Sequence, residues 1–277
     1  MEQVLSTDDK DAKSENGLWP RYFMHVSYDG TNYHGWQRQP NGNSVQAEVE
    51  HALSKLHQLK KVITTGCGRT DAGVHARNFY LHFNIENGIS DLDEVFFRLS
   101  HILPRDIAVH HIMQVHDMAH SRFDATERSY EYHMHQKRNP FIRTFSTYYH
   151  PKLNIEKMNE AASLMLPEED FATFCKAGGG QKTTICHLRR AEWEVTEGGL
   201  IFHITADRFL RNMVRAVVGT LVKVGQGKMS VSQFEEVLKS RTRIEAGESM
   251  QPQGLHLTVV KYPYINQYNE YIVQGNG

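Results

Sequence analysis

Cysteine is scarce, with three residues in a chain of 277. Three thiols exclude a disulfide framework, and the odd number fits a reducing compartment. No apolar run approaches the roughly 20 residues of a bilayer-spanning helix, so a transmembrane chain is excluded. There is no Walker loop and no G-x-G-x-x-G, which removes the common nucleotide-binding signatures. Histidine is abundant at 17, yet it does not read as a metal site. His110-His111, His116 and His120 cluster and Cys186-His187 adjoin, but no CxxC pair exists. Neighbouring residues on a strand also point to opposite faces.

Net charge is nearly absent too. Thirty-one Lys and Arg oppose 32 Asp and Glu, and the pI is about 7.0. On that sum alone no polyanion partner is expected. The sum hides a gradient. The first 20 residues carry five acids and two lysines. Between Phe171 and Ala191 stand four cations (Lys176, Lys182, Arg189, Arg190) and no acid. Between Thr205 and Ser230 stand five cations and one acid. Local basic stripes matter to a polyanion more than net charge does.

What is present suits a folded chain. Hydrophobic residues are 40% and charged residues 23%, which excludes wholesale disorder, and the length fits one large domain or two ordinary ones. Residues 1–20 read as a disordered acidic tail without a secretory h-region. Residues 21–124 read as one domain, 125–265 as a second and 266–277 as a tail. Within the first, 22–28 alternates as a strand. Val45, Val49, Ala52, Leu53 and Leu56 follow helical spacing behind Asn43 or Ser44. Short strands follow at 62–67 and 79–85. Ser90 opens a second helix that Pro104 closes, and 107–115 is a strand. That order, β-α-β-β-α-β, is the ferredoxin-like plan. The second half carries strands near 127–135, 191–196, 200–206 and 255–261, with helices near 154–166, 208–223 and 231–239.

Four stretches carry possible chemistry. Gly66–Ala76 (GCGRTDAGVHA) places Asp71 two residues from Arg69 in a glycine-rich loop between strands. It reads as a rigidly aimed carboxylate or as a hairpin loop with a solvated ion pair. Tyr28–Gln39 (YDGTNYHGWQRQ) interleaves aromatics, amides and a cation. Those residues suit stacking on bases, or a turn whose aromatics tuck under the sheet. Tyr130, Tyr132 and Met134 share one side of a strand, a pattern of core as much as of a site. Arg208, Arg211 and Arg215 fall at i, i+3 and i+7 of the expected helix 208–223, facing either an anion or solvent. Gly178-Gly179-Gly180, beside Lys176 and Lys182, reads as a flexible loop suited to clamping an RNA backbone.

In this order, YDGTNYHGWQRQ, GRTDAGVHA, LPRDIAV (103–109), RFDATERSYEY (122–132), FLRNMVRAVVG (209–219) and QGLHL (253–257) resemble the tRNA pseudouridine synthase A family. The likeness runs from about Tyr22 to Tyr262, and GRTDAGVHA is its most specific string. Phe79 stands where many relatives carry Gln. The resemblance implies an α+β pseudouridine synthase fold of two ferredoxin-like halves with mixed, largely antiparallel sheets and an active-site cleft between them. It implies that Asp71 is the catalytic aspartate and that Arg69 fills the space left by a flipped nucleotide. It further implies that Tyr130 packs on the target base, Arg215 pairs with the aspartate, and Leu255 lines the pocket. The implied substrate is uridine at tRNA positions 38, 39 and 40. The implied enzyme is a cytoplasmic homodimer with no cofactor and no metal. Two rivals remain open at this level: a glycoside hydrolase, for which no second acid appears in GRTDAGVHA, and an RNA-binding module without catalysis.

Overall fold

The computed structural model describes residues 13–14, 17–40, 42–58, 61–176 and 182–266. These form two compact units. The first takes the chain up to Ala72, Ala76–Ala125 and the chain from Val260 onward. The second takes Gly73–His75 and Thr126–Val259. In the acidic tail, β1 (Lys13–Ser14) pairs antiparallel with β2 (Gly17–Leu18). The remainder of that expected tail, 1–12 and 15–16, lies outside the described residues, as do 267–277.

The first unit runs β3 (Arg21–Tyr28), α1 (Val45–Leu56), β4 (Thr64–Gly66), β5 (His75–Asn84), α2 (Leu92–Ile102) and β6 (Ile107–Val115). The sheet order is β6-β3-β5-β4, every pair antiparallel. The β-α-β-β-α-β order read from the pattern is therefore the observed one. Helix α1 starts where Ser44 accepts a hydrogen bond from the Ala47 N–H, and it buries all five residues of the apolar spacing. Helix α2 is capped by Asp91, one residue past the expected Ser90, and ends before Pro104. Strand β5 starts at His75 because Ala76 already pairs with Tyr28. Its Phe79, Tyr80, Leu81, His82 and Phe83 are all buried, so both faces are covered.

The second unit runs β7 (Glu127–His135), β8 (Thr147–Tyr148), α3 (Ile155–Ser163), β9 (Leu188–Thr196), β10 (Gly199–Ala206), α4 (Met213–Gly225), α5 (Val231–Ser240) and β11 (Leu255–Lys261). Its sheet order is β11-β7-β10-β9, with β8 parallel beside β7. Setting β8 aside, both units order their strands fourth, first, third, second. Among the described residues no helix is long and apolar enough to cross a membrane.

One expected helix is shorter than its pattern. Residues 208–212 are not helical, and α4 begins at Met213. Asn212 takes a left-handed conformation, φ 63°, and the Asp207 carboxylate accepts from the His187 and Arg208 N–H groups. That anchor holds the chain in a turn before the helix can start. Arg208 and Arg211 consequently precede α4, and no three-arginine helix face exists.

Buried histidine makes the first unit acid-sensitive. His25 stacks on Tyr80 with centroids 4.7 Å apart, and its Nε2 meets Asn78 Oδ1 at 2.7 Å. Burial pulls its pKa from 6.5 to about 4. The unfolded chain therefore takes up this proton first as pH falls. The stabilisation is complete above pH 6.5 and is lost progressively down to about pH 4. Urea unfolding between pH 7.5 and 4.5 should show His25→Phe losing less stability on acidification than the parent. Equal slopes would refute the assignment.

Candidate active site

The GRTDAGVHA loop leaves β4 through Cys67, whose N–H donates to Tyr80 O at 2.7 Å. The residue before Asp71 is held twice. Thr70 O accepts from the Trp36 N–H at 3.3 Å, and Thr70 Oγ1 lies 2.9 Å from the Tyr28 hydroxyl. Gly35 makes the first contact possible. Its φ is +87°, and a Cβ there would lie 2.2 Å from Thr70 O, so only glycine fits. Gly66 likewise leaves room for the Trp36 indole, since a Cβ would approach its Nε1 to 2.5 Å.

This geometry decides the role of Tyr28–Gln39. Trp36 is 1% exposed and Tyr33 4%, so these rings are core and are not offered to bases. Trp36 packs on Phe79 at 4.2 Å between centroids, and Tyr28 meets the same ring edge-on. The Tyr33 hydroxyl donates to Asp106 Oδ1 at 2.6 Å, which joins the LPRDIAV stretch to the same frame. Burial and that carboxylate together raise the Tyr33 pKa. Arg38 pairs with Glu50 at 3.2 Å, and Gln46 and Glu50 bind the Thr64 backbone on β4. Asp71, half-buried, and Arg69, exposed, sit on the loop that this frame supports.

In the second unit, segment 247–256 contains Leu255 and is bonded to Arg215, while Tyr130 stands on β7. Tyr132 and Met134 are core, whereas Tyr130 is half-buried and packs edge-on against Phe209 at 5.1 Å. Tyr130 and Leu255 belong to the same hydrophobic cluster. Tyr132 donates to Gln251 O at 2.8 Å while Thr147 lies 2.7 Å from its hydroxyl. Because a carbonyl only accepts, Thr147 is the donor to Tyr132. Arg215, in the first turn of α4, donates from Nε to Met250 O at 2.6 Å, and its own carbonyl accepts from the Met250 N–H. The Arg215 charge also counteracts the rise that burial imposes on the Tyr132 pKa. Glycine lets the segment approach, since a Cβ on Gly219 would lie 1.8 Å from Glu248 O. Gly73, two residues after Asp71 in the chain, has φ +75° and faces Pro252.

The structure thus places Asp71 and Arg69 on one loop of the first unit. It places Tyr130 on β7, Leu255 at the start of β11 and Arg215 on α4 in the second. Sequence reasoning missed Thr70, Gly35 and the carbonyl of Met250, although the first two stood inside quoted motifs. The basic stripe 176–190 is partly neutralised: Arg189 pairs with Glu127 at 2.7 Å and Arg190 with Glu192 at 2.6 Å. Lys176 and Lys182 are exposed, and Gly178–Gly180 lie outside the described residues. Among the described residues no three His, Cys, Asp or Glu side chains form a metal-binding group.

The family model described as tRNA pseudouridine synthase matches residues 24–124 and 161–263. This chain belongs to that family. Its membership makes it an isomerase of tRNA uridine. Proteins named tRNA pseudouridine synthase A resemble it closely. That of Bacteroides fragilis is 45% identical over 244 residues, covering 88% of this chain and 96% of the relative. That of Bacteroides thetaiotaomicron is 46% identical over 246 residues, covering 88% and 91%. That of Lactococcus lactis subsp. lactis is 38% identical over 245 residues, covering 87% and 97%.

The double tether on Thr70 predicts a catalytic cost for a remote hydroxyl. Tyr28→Phe removes one hydrogen bond, worth about 1 kcal/mol, and should lower kcat about fivefold. Affinity for tRNA should stay unchanged. Gly35→Ala should cost about 1–3 kcal/mol of stability as well, measured by urea unfolding.

Proposed function

We propose that this synthase converts uridine to pseudouridine at tRNA positions 38, 39 and 40, in the anticodon stem-loop, with Asp71 as nucleophile. The observation that carries the assignment is the anchoring of Thr70 by Tyr28, Gly35 and Trp36, which holds the Asp71 backbone in place. Catalysis by one carboxylate depends on such pre-positioning. In the reaction the N1–C1′ bond breaks, the base turns, and a C5–C1′ bond forms. C5 loses a proton and N1 gains one, so no electrons are exchanged and no redox cofactor is required. As nucleophile Asp71 attacks at C1′ or at C6, and the alternative role for the same carboxylate is as a base near the ribose.

A base inside a stem must leave the stack before its atoms can be reached. In this reading Tyr130 packs on the flipped base, Leu255 supplies an apolar wall, and Arg69 occupies the space left in the RNA. Arg215 is assigned as the guanidinium partner of Asp71. Its Nε is held by the Met250 carbonyl, and an arginine stays charged when desolvated. The reading includes a homodimer in the cytoplasm, working without cofactor or metal.

The direct test is incubation with a tRNA transcript followed by pseudouridine mapping. Modification at those three positions is expected. Release of free uracil would indicate a hydrolase, and bound but unmodified RNA a binding module. Asp71→Asn should abolish turnover while tRNA binding changes little, since size is kept and the nucleophile lost. Arg215→Lys should lose much more activity than Arg211→Lys, although both keep the charge. Comparable activity of those two lysine variants would remove Arg215 from the assigned role.

A further inference from the structure

The chain between β7 and β8 is a surface excursion with no acidic residue. From Tyr132 to Ile155 there is no Asp or Glu, while Lys137, Arg138, Arg143 and Lys152 fall inside the run. Its crown exposes aromatic rings. Phe141 is 90% exposed, Phe145 42% and Tyr148 39%. The Arg138 guanidinium lies over the Tyr148 ring, 5.9 Å from its centroid. A phenylalanine left almost wholly in water gains almost nothing from burial in the fold.

The excursion is built, not loose. Its ends are joined by β8 pairing with β7, by Tyr149 N–H donating to His135 O at 2.8 Å, and by His135 Nδ1 lying 3.0 Å from Ser146 Oγ. Phe145 N–H closes a turn onto Ile142 O at 2.9 Å, and the Asn139 side chain accepts from the Phe141 N–H at 2.9 Å. Two buried imidazoles grip that turn from beneath. His75 Nε2 lies 2.8 Å from Thr144 O, and His256 Nε2 lies 2.7 Å from Phe145 O. Carbonyls only accept, so both Nε2 atoms carry the proton. The two rings stack at 4.7 Å and 22°. His75 ends the VH step of GRTDAGVHA and His256 follows Leu255 in QGLHL, so the turn rests on residues of both site motifs.

We infer that residues 136–148 form an RNA-contact surface in which Phe141 stacks on an unpaired nucleotide of the tRNA. Lys137, Arg138 and Arg143 hold the flanking phosphates, and His75 and His256 set the position of the turn. This rests on the tRNA reading above. An acid-free cationic run interleaved with exposed rings is what a single-stranded segment of nucleic acid selects, because every base offers a face and every linkage a charge. A protein partner would have no need of so one-sided a charge.

The test compares the full-length protein with Phe141→Ala and Arg143→Ala, using a tRNA transcript. Thermal melting should be unchanged, because both side chains are exposed. Each variant should bind tRNA about tenfold more weakly and raise KM, with kcat kept. A photo-crosslinking amino acid at position 141 should form an adduct with the RNA. If the parent modifies tRNA but both variants keep its Kd and KM and no adduct forms, the inference fails and the catalytic reading stands. If Phe141→Ala instead alters the oligomeric state while tRNA affinity holds, the surface is a protein interface and the inference fails. Failure of the parent to bind tRNA would overturn both readings together.

Discussion

The GRTDAGVHA loop depends on one residue being held from two sides. Thr70 offers its carbonyl to Trp36 and its hydroxyl to Tyr28, and the missing side chain of Gly35 lets the backbones meet. A glycine-rich loop would otherwise sample many conformations, and each would aim the next side chain differently. The aromatic stretch therefore acts as a frame. Trp36, Tyr28 and Phe79 form a packed set of rings, and Tyr33 and Asp106 tie the start of β6 to it. Rigid support of this kind fixes the backbone from which the Asp71 carboxylate projects.

The second unit solves a similar problem with a different device. Segment 247–256 is irregular over its first half and turns once as a 3-10 helix at Pro252–Gly254 before β11, and it is held by Arg215, Tyr132 and Thr220 through its backbone. Gly219 and Gly247 allow α4 and the segment to touch along their main chains. Each of these bonds is made to a carbonyl or an N–H of the segment, so backbone groups outside regular structure find partners. The arginine is thus positioned by the same contact that satisfies the segment.

Much of the architecture was legible in the residue pattern. The strands alternate, the helices repeat at 3.6, and Ser44, Asp91, Asn154 and Ser230 cap four of the five helices found among the described residues. These are local effects that a short window contains. The start of α4 was misread because the apolar stripe continues upstream through Leu210, while Asp207 and Asn212 set a turn whose anchor, His187, is 20 residues away. The basic stripe at 176–190 was overread for the same reason. Glu127, which neutralises Arg189, is 62 residues distant in the chain.

The sequence by itself determined the ferredoxin-like plan of the first half and, through GRTDAGVHA and its companion strings, the family. Local periodicity and rare exact strings carry that information without any folding. Only the tertiary structure decided which aromatics are frame and which are surface. Trp36 in a loop of amides and cations is buried, whereas Phe141 in a run of the same character is exposed. The difference lies in what stands opposite each ring: Gly66 and Phe79 leave a slot for the indole, while none of the described residues covers Phe141 at the crown of the β7–β8 excursion. Burial is a property of partners far apart in the chain, and no short stretch of sequence contains it.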